Sequence, residues 1–89
     1  MKLAKLRKAF QQAYGYALCD SEIIRGRGSK PQDKVRVADI KSWRIRPEMV
    51  FDMVEIILVD DQQVVWLDKY DDLTGILRRV APSKELPMS

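Results

Sequence analysis

The 89-residue chain has no histidine. That removes Ser–His and Cys–His nucleophile pairs, imidazole general bases and nearly all familiar zinc sites. One cysteine, Cys19, excludes an intramolecular disulfide and thiolate metal clusters. It fits a reducing compartment, so cytoplasmic is the default expectation. Unbroken apolar stretches are short: Ile56 to Val59 is four residues, far below the ~20 of a membrane span. The basic N-terminus has neither a contiguous apolar core nor a small-residue cleavage pattern, so no signal peptide is expected. There is no internal repeat.

What is present fits one small domain over residues 1–89, near the size at which oligomerisation often supplies extra burial. The net charge of +3 hides an asymmetry. Residues 1–48 carry 12 Lys and Arg against 5 Asp and Glu, whereas residues 49–89 carry 4 against 8. Such a split fits a basic surface for phosphates or an acidic partner. It fits equally two halves of one domain attracting each other, or two copies pairing head to tail.

The clearest stretch runs from Val50 to Val80. Val50 to Val59 is rich in β-branched and aromatic residues and apolar on both faces in its second half, so a strand covered on both sides is expected. Asp60-Asp61-Gln62-Gln63 supplies a polar turn, and Val64 to Leu67 a second strand, giving an antiparallel hairpin. Residues 68–81 then predict an amphipathic helix. Asp68 serves as its N-cap, with Asp71 and Asp72 in its first turn. Leu73, Ile76, Leu77 and Val80 fall on one stripe, Arg78 and Arg79 in the last turn, and Pro82 ends it. Gly75 is dissonant inside a helix and is expected to let the helix lie close against Trp66. Residues 83–89 read as a flexible tail.

The first half is less regular. Residues 1–13 predict a short helix with Leu3, Leu6, Phe10 and Ala13 on one face and Lys2, Lys5 and Lys8 on the polar side. It would dock on the sheet or a second subunit, or rest on anionic lipid. Residues 14–67 then form an antiparallel sheet. Tyr14 to Cys19 and Ile23 to Gly28 are strands about an Asp20-Ser21 turn, the second loosening into a loop over Gly28 to Asp33, and Lys34 to Ile40 resumes with Val35 and Val37 inward. Along Lys41 to Arg46, Trp43 and Ile45 take one side, Arg44 and Arg46 the other.

Candidate chemistry is weighed on local duty. Asp60-Asp61 and Asp68, Asp71 and Asp72 have the composition of an acid/base pair or a magnesium site, but each also has a turn or cap to make. Glu55, among apolar neighbours, is expected to pair with an arginine of the basic half. Arg25-Gly26-Arg27-Gly28 lacks the glycine spacing and following helix of a nucleotide loop. The set Arg25, Arg27, Lys30, Lys34, Arg36, Lys41, Arg44 and Arg46 is the candidate polyanion-binding site, on one sheet face or around the loop. Tyr14, Tyr16 and Trp43 would stack bases if they shared that face, yet pointing the arginines outward turns Trp43 inward. Cys19 reads as a buried small hydrophobe. No catalytic residue, metal site or cofactor is expected.

Asp20-Ser21 at the first turn, Asp39-Ile40 before Trp43, Asp60-Asp61 at the second hairpin and Leu73, Ile76 and Leu77 on a closing helix resemble the order of small bacterial pleckstrin-homology-like domains. The likeness spans Tyr14 to Pro82. It implies a bent antiparallel half-barrel plugged by the C-terminal helix, with lipids or proteins as ligands. The chain departs from the family in having fewer strands and an N-terminal helix, which leaves open a half-barrel completed by dimerisation.

The expected fold class is α+β: a small, bent antiparallel sheet with a C-terminal amphipathic helix and a short N-terminal one. The expected function is a non-enzymatic interaction module that self-associates, as a homodimer, and binds a protein partner. Nucleic acid, anionic lipid or another polyanion on the basic half is the alternative.

Overall fold

The structure, a computed structural model, describes residues 15–88. The helix expected over residues 1–13, and Tyr14, lie outside the described residues. Six strands and one α-helix follow: β1 (Tyr16–Cys19), β2 (Glu22–Arg25), β3 (Lys34–Arg36), β4 (Ile40–Arg46), β5 (Asp52–Leu58), β6 (Gln63–Asp68) and α1 (Asp72–Val80). They make two antiparallel three-stranded sheets, ordered β1-β2-β3 and β4-β5-β6, with α1 C-terminal to both: an α+β arrangement.

The sheet expected over residues 14–67 is therefore divided. The break is a 3-10 turn at Val37–Asp39. Val37 is only half-buried there, because the strand has already ended at Arg36. The corner is stitched to both sheets: Val37 N–H donates to Ser21 O at 2.9 Å, and Val59 N–H donates to Asp39 O at 2.8 Å.

Alternation then sorts side chains by face. In the first sheet Ile23 lies opposite Leu18 and Val35, and Ile23 and Val35 enter the core. In the second, Trp43, Ile45, Val54, Ile56 and Trp66 point inward. Leu73, Ile76 and Leu77 of α1 complete the core, as their spacing predicts. Burial of each large side chain stabilises the fold by about 1.5–3 kcal/mol. The opposite face of β5 is only half-buried, so this strand is covered fully on one side, not both. Trp43 also satisfies its indole, donating to Ala81 O at 2.8 Å.

The β5–β6 hairpin closes through Val59, Asp60 and Asp61. Asp61 N–H donates to Leu58 O, Leu58 N–H donates to Gln62 O, and Asp61 adopts φ 66°. That is a three-residue loop with a left-handed residue before the strand resumes.

Three expectations need correction. Helix α1 begins at Asp72, not Asp68, after Asp71 turns the chain at φ 61°. Asp68 still caps it, but from the end of β6, accepting from Leu73 N–H at 3.2 Å and Thr74 N–H at 3.1 Å. Gly75 is not a close approach: a Cβ built there meets nothing within 4 Å. Cys19 is exposed, since it falls on the outer face of an edge strand.

The chain beyond Pro82 is fastened as far as Leu86. Leu86 N–H donates to Trp43 O at 2.7 Å, Glu85 makes a parallel bridge to Trp43, and Lys84 Nζ donates to Ile40 O at 2.7 Å. Arg78 pairs with Glu85 at 3.1 Å. The free side of β4 is thereby covered at Ile40 and Trp43. Among the described residues no helix is long and apolar enough to cross a membrane.

Candidate binding groove along strand β6

Among the described residues, the opposite edge of the second sheet is uncovered. Leu58 and Gln62 form a hydrogen-bonded pair, and the β5–β6 register is Ile57↔Gln63, Ile56↔Val64, Glu55↔Val65, Val54↔Trp66 and Met53↔Leu67. Bonded and non-bonded pairs alternate along an antiparallel ladder. Gln63, Val65 and Leu67 therefore turn their backbone groups away from β5. The Tyr16 hydroxyl confirms that direction by donating to Leu67 O at 2.6 Å. The other outward N–H and C=O groups of Gln63 and Val65, and the Leu67 N–H, have no partner among the described residues.

Two clefts line this edge. One, of about 410 Å³, runs between Gln62–Trp66 and a wall of Arg25, Pro31, Gln32 and Lys34. The other, of about 490 Å³, continues past Leu67, walled by Tyr16, Arg25, Gly26, Arg27, Ser29 and Asp33. Arg25 belongs to both. Its guanidinium lies 5.4 Å from the Trp66 ring centre and donates to Asp33 Oδ1 from Nε at 3.0 Å and from Nη2 at 2.7 Å. That hydrogen-bonded pair holds the Asp33 carboxyl below the usual carboxylate range. Tyr16 packs on Trp66 at 5.3 Å, and burial pushes its phenol well above its ordinary pKa. Both contacts fix the wall next to the strand.

The Arg25-Gly26-Arg27-Gly28 run makes that wall turn. Gly26 and Gly28 take φ 60° and 66°, and Gly28 N–H donates to Arg25 O at 3.1 Å. A Cβ on Gly28 would also lie 2.6 Å from Ile24 Cγ2, so both angle and space call for glycine.

The eight expected basic residues do not gather on one face. Lys41 pairs with Asp61 at 3.0 Å, and Arg46 with Glu48 at 3.0 Å and Glu55 at 2.7 Å. Arg44 lies 3.8 Å from Glu55. Glu55 thus takes the arginine pairing expected of it, and all three cations of β4 are engaged in ion pairs. Arg25 is held by Asp33. Lys30, Lys34 and Arg36 come together with Glu22 and Asp39 around an adjoining groove of about 530 Å³, which shares Pro31 and Lys34 with the β6 cleft. Arg27 stands at the β6 clefts. Arg27, Lys30, Lys34 and Arg36 make no ion pair among the described residues. Trp43 is fully buried, so it is no stacking platform, whereas Tyr16 keeps a half-exposed ring.

Sequence reasoning missed Gln63, Val65 and Leu67. Their one local signal is that β6 closes a hairpin and is followed by a helix, which leaves it a free side. No family model matches this chain, and neither a curated protein nor a solved structure does.

Proposed function

We propose that this chain is a non-enzymatic interaction module that binds another polypeptide, a second copy or a partner, by strand addition. The open backbone edge of β6 carries the reading. Unpaired N–H and C=O groups at a sheet edge template the pairing of an incoming strand, and flanking pockets give it specificity. The carboxylates support a non-catalytic reading: Asp60 and Asp61 build a turn, Asp68 caps a helix, and Asp72 accepts from Tyr16 N–H at 2.8 Å. An exposed, unpaired Cys19 fits a reducing, cytoplasmic setting. Two three-stranded antiparallel sheets followed by a helix are the support for a pleckstrin-homology-like half-barrel.

The test is a photo-cross-linker at Gln63 in the full chain, irradiated in cells. An adduct is expected, and it should vanish with Val65→Pro, which removes an N–H that β5 does not use. Val65→Lys keeps that N–H but places a charge on the edge that disfavours an added strand, without constraining φ. The absence of an adduct, or an adduct insensitive to both changes, overturns the reading.

A second reading, polyanion binding, is favoured by one observation: Lys30, Lys34 and Arg36 share a groove and none is neutralised by an ion pair. It predicts heparin retention that falls steeply with salt and is lost in a Lys30→Glu/Arg36→Glu variant. Flow-through at low salt removes it.

A further inference from the structure

We infer that the occupant of the β6 groove is an extended, acidic segment of a different protein, an inference that rests on the strand-addition reading above. Length comes first. The edge from Gln62 to Leu67 spans about 20 Å, room for about six extended residues. Among the described residues, Gln63, Val65 and Leu67 offer such a segment five free backbone groups, the sixth being occupied by Tyr16.

Charge then selects among strands. The wall facing the edge carries Arg25, Arg27 and Lys34 against a single carboxylate, Asp33, which Arg25 already engages. The edge contributes no charge of its own between Gln62 and Leu67. A segment laid there meets a net positive wall, so Asp or Glu side chains are attracted and Lys or Arg repelled. A second copy is disfavoured for the same reason. Two β6 strands paired about a two-fold axis at Val65 would bring both sets of Arg25, Arg27 and Lys34 to one seam, with no acid between Gln62 and Leu67 to offset them and Asp68 buried at the helix cap.

Shape adds a side-chain preference at one end. The cleft beyond Leu67 has Tyr16 and Leu67 as apolar walls and the Gly26 turn as a floor without side-chain bulk. One large apolar or aromatic side chain of the added strand fits there, with an acidic neighbour toward Arg27.

The experiment is selection of a random octapeptide library on the immobilised full chain, followed by titration of the selected peptides and mapping of backbone amides by NMR. Peptides enriched in Asp and Glu are expected, with amide changes at Gln63, Val65 and Leu67. Arg27→Glu or Lys34→Glu should weaken them roughly tenfold or more, with affinity falling as salt rises. Peptides that map to this edge without acidic enrichment, or that ignore both reversals, overturn the acidic inference and leave strand addition standing. A β6-dependent dimer that excludes peptide does the same in favour of a second copy. Peptides that map elsewhere, or none selected, overturn both.

Discussion

Asp68 holds Thr74 twice. One carboxylate oxygen accepts both the backbone N–H and the hydroxyl of Thr74, while the other accepts the Leu73 N–H. The last residue of a strand thus closes the first turn of the next helix, across the left-handed Asp71.

Removing that carboxylate leaves the N–H and hydroxyl of Thr74 unpaired, while Leu73 N–H keeps Asp72 Oδ1 at 3.1 Å. Asp68→Ala should cost about 2 kcal/mol, after allowing for relief of a buried charge. Asp68→Asn should cost less, because its oxygen can keep Thr74 while its amide faces Leu73 N–H. Urea unfolding midpoints of the two variants check the order.

Two aspartates should bend the pH dependence of stability in opposite directions. Burial raises the Asp68 carboxyl above its ordinary 3.8, so the folded state binds its proton more tightly than the unfolded chain. Its contribution therefore grows as pH falls through the raised value toward 3.8. Asp33 is lowered by its hydrogen bonds from Arg25. Its contribution is present above 3.8 and is lost as pH falls through the lowered value. Melting temperatures followed from about pH 6.5 down to about pH 3 should show Asp68→Asn removing the gain above 3.8. Asp33→Asn should flatten the loss below it. Parallel profiles for wild type and both variants would contradict these assignments.

Gly75 sits exposed in α1 with open space where a Cβ would go. Gly75→Ala should stabilise by about 0.5–1 kcal/mol, since only the entropic penalty of glycine is removed. For a domain of this size the melting temperature should rise by about 2–8 °C. A decrease would mean that something packs on this face of the helix.

Asp61 occupies the left-handed position of the β5–β6 loop, where glycine carries no Cβ penalty. Asp61→Gly should be neutral or stabilising by a few tenths of a kcal/mol, and Asp61→Ala destabilising by about 1 kcal/mol. Both lose the exposed Lys41 pair, so the difference between them isolates the backbone. Denaturant midpoints in the reverse order would contradict the loop assignment.

Local patterns carried the second half of the chain. The 3.6-residue spacing of Leu73, Ile76 and Leu77 and the two-residue alternation of Trp43 and Ile45 both survive in the packed core. So does the Glu55 pairing, because a carboxylate among apolar neighbours on a half-buried strand needs a counter-charge. What was not legible depends on distant neighbours. Asp68 caps a helix from four residues before its start, a reach set by the Asp71 turn. The division of the sheet follows from the corner at Val37–Asp39, whose composition resembles continuing strand. The open side of β6 is defined only by the groups that fail to reach it. The fastening of Glu85 and Leu86 likewise depends on β4, far upstream, and nothing local in Ser83 to Ser89 announces it.

That tail gives the second sheet a direction of growth. Glu85 and Leu86 lie along the outer side of β4 at Trp43, so among the described residues β6 is the longer open margin of this sheet. A subunit with two adhesive margins can add copies end over end into a filament; one with a single margin stops after one addition. Detaching the last few residues would lengthen the second margin and favour propagation.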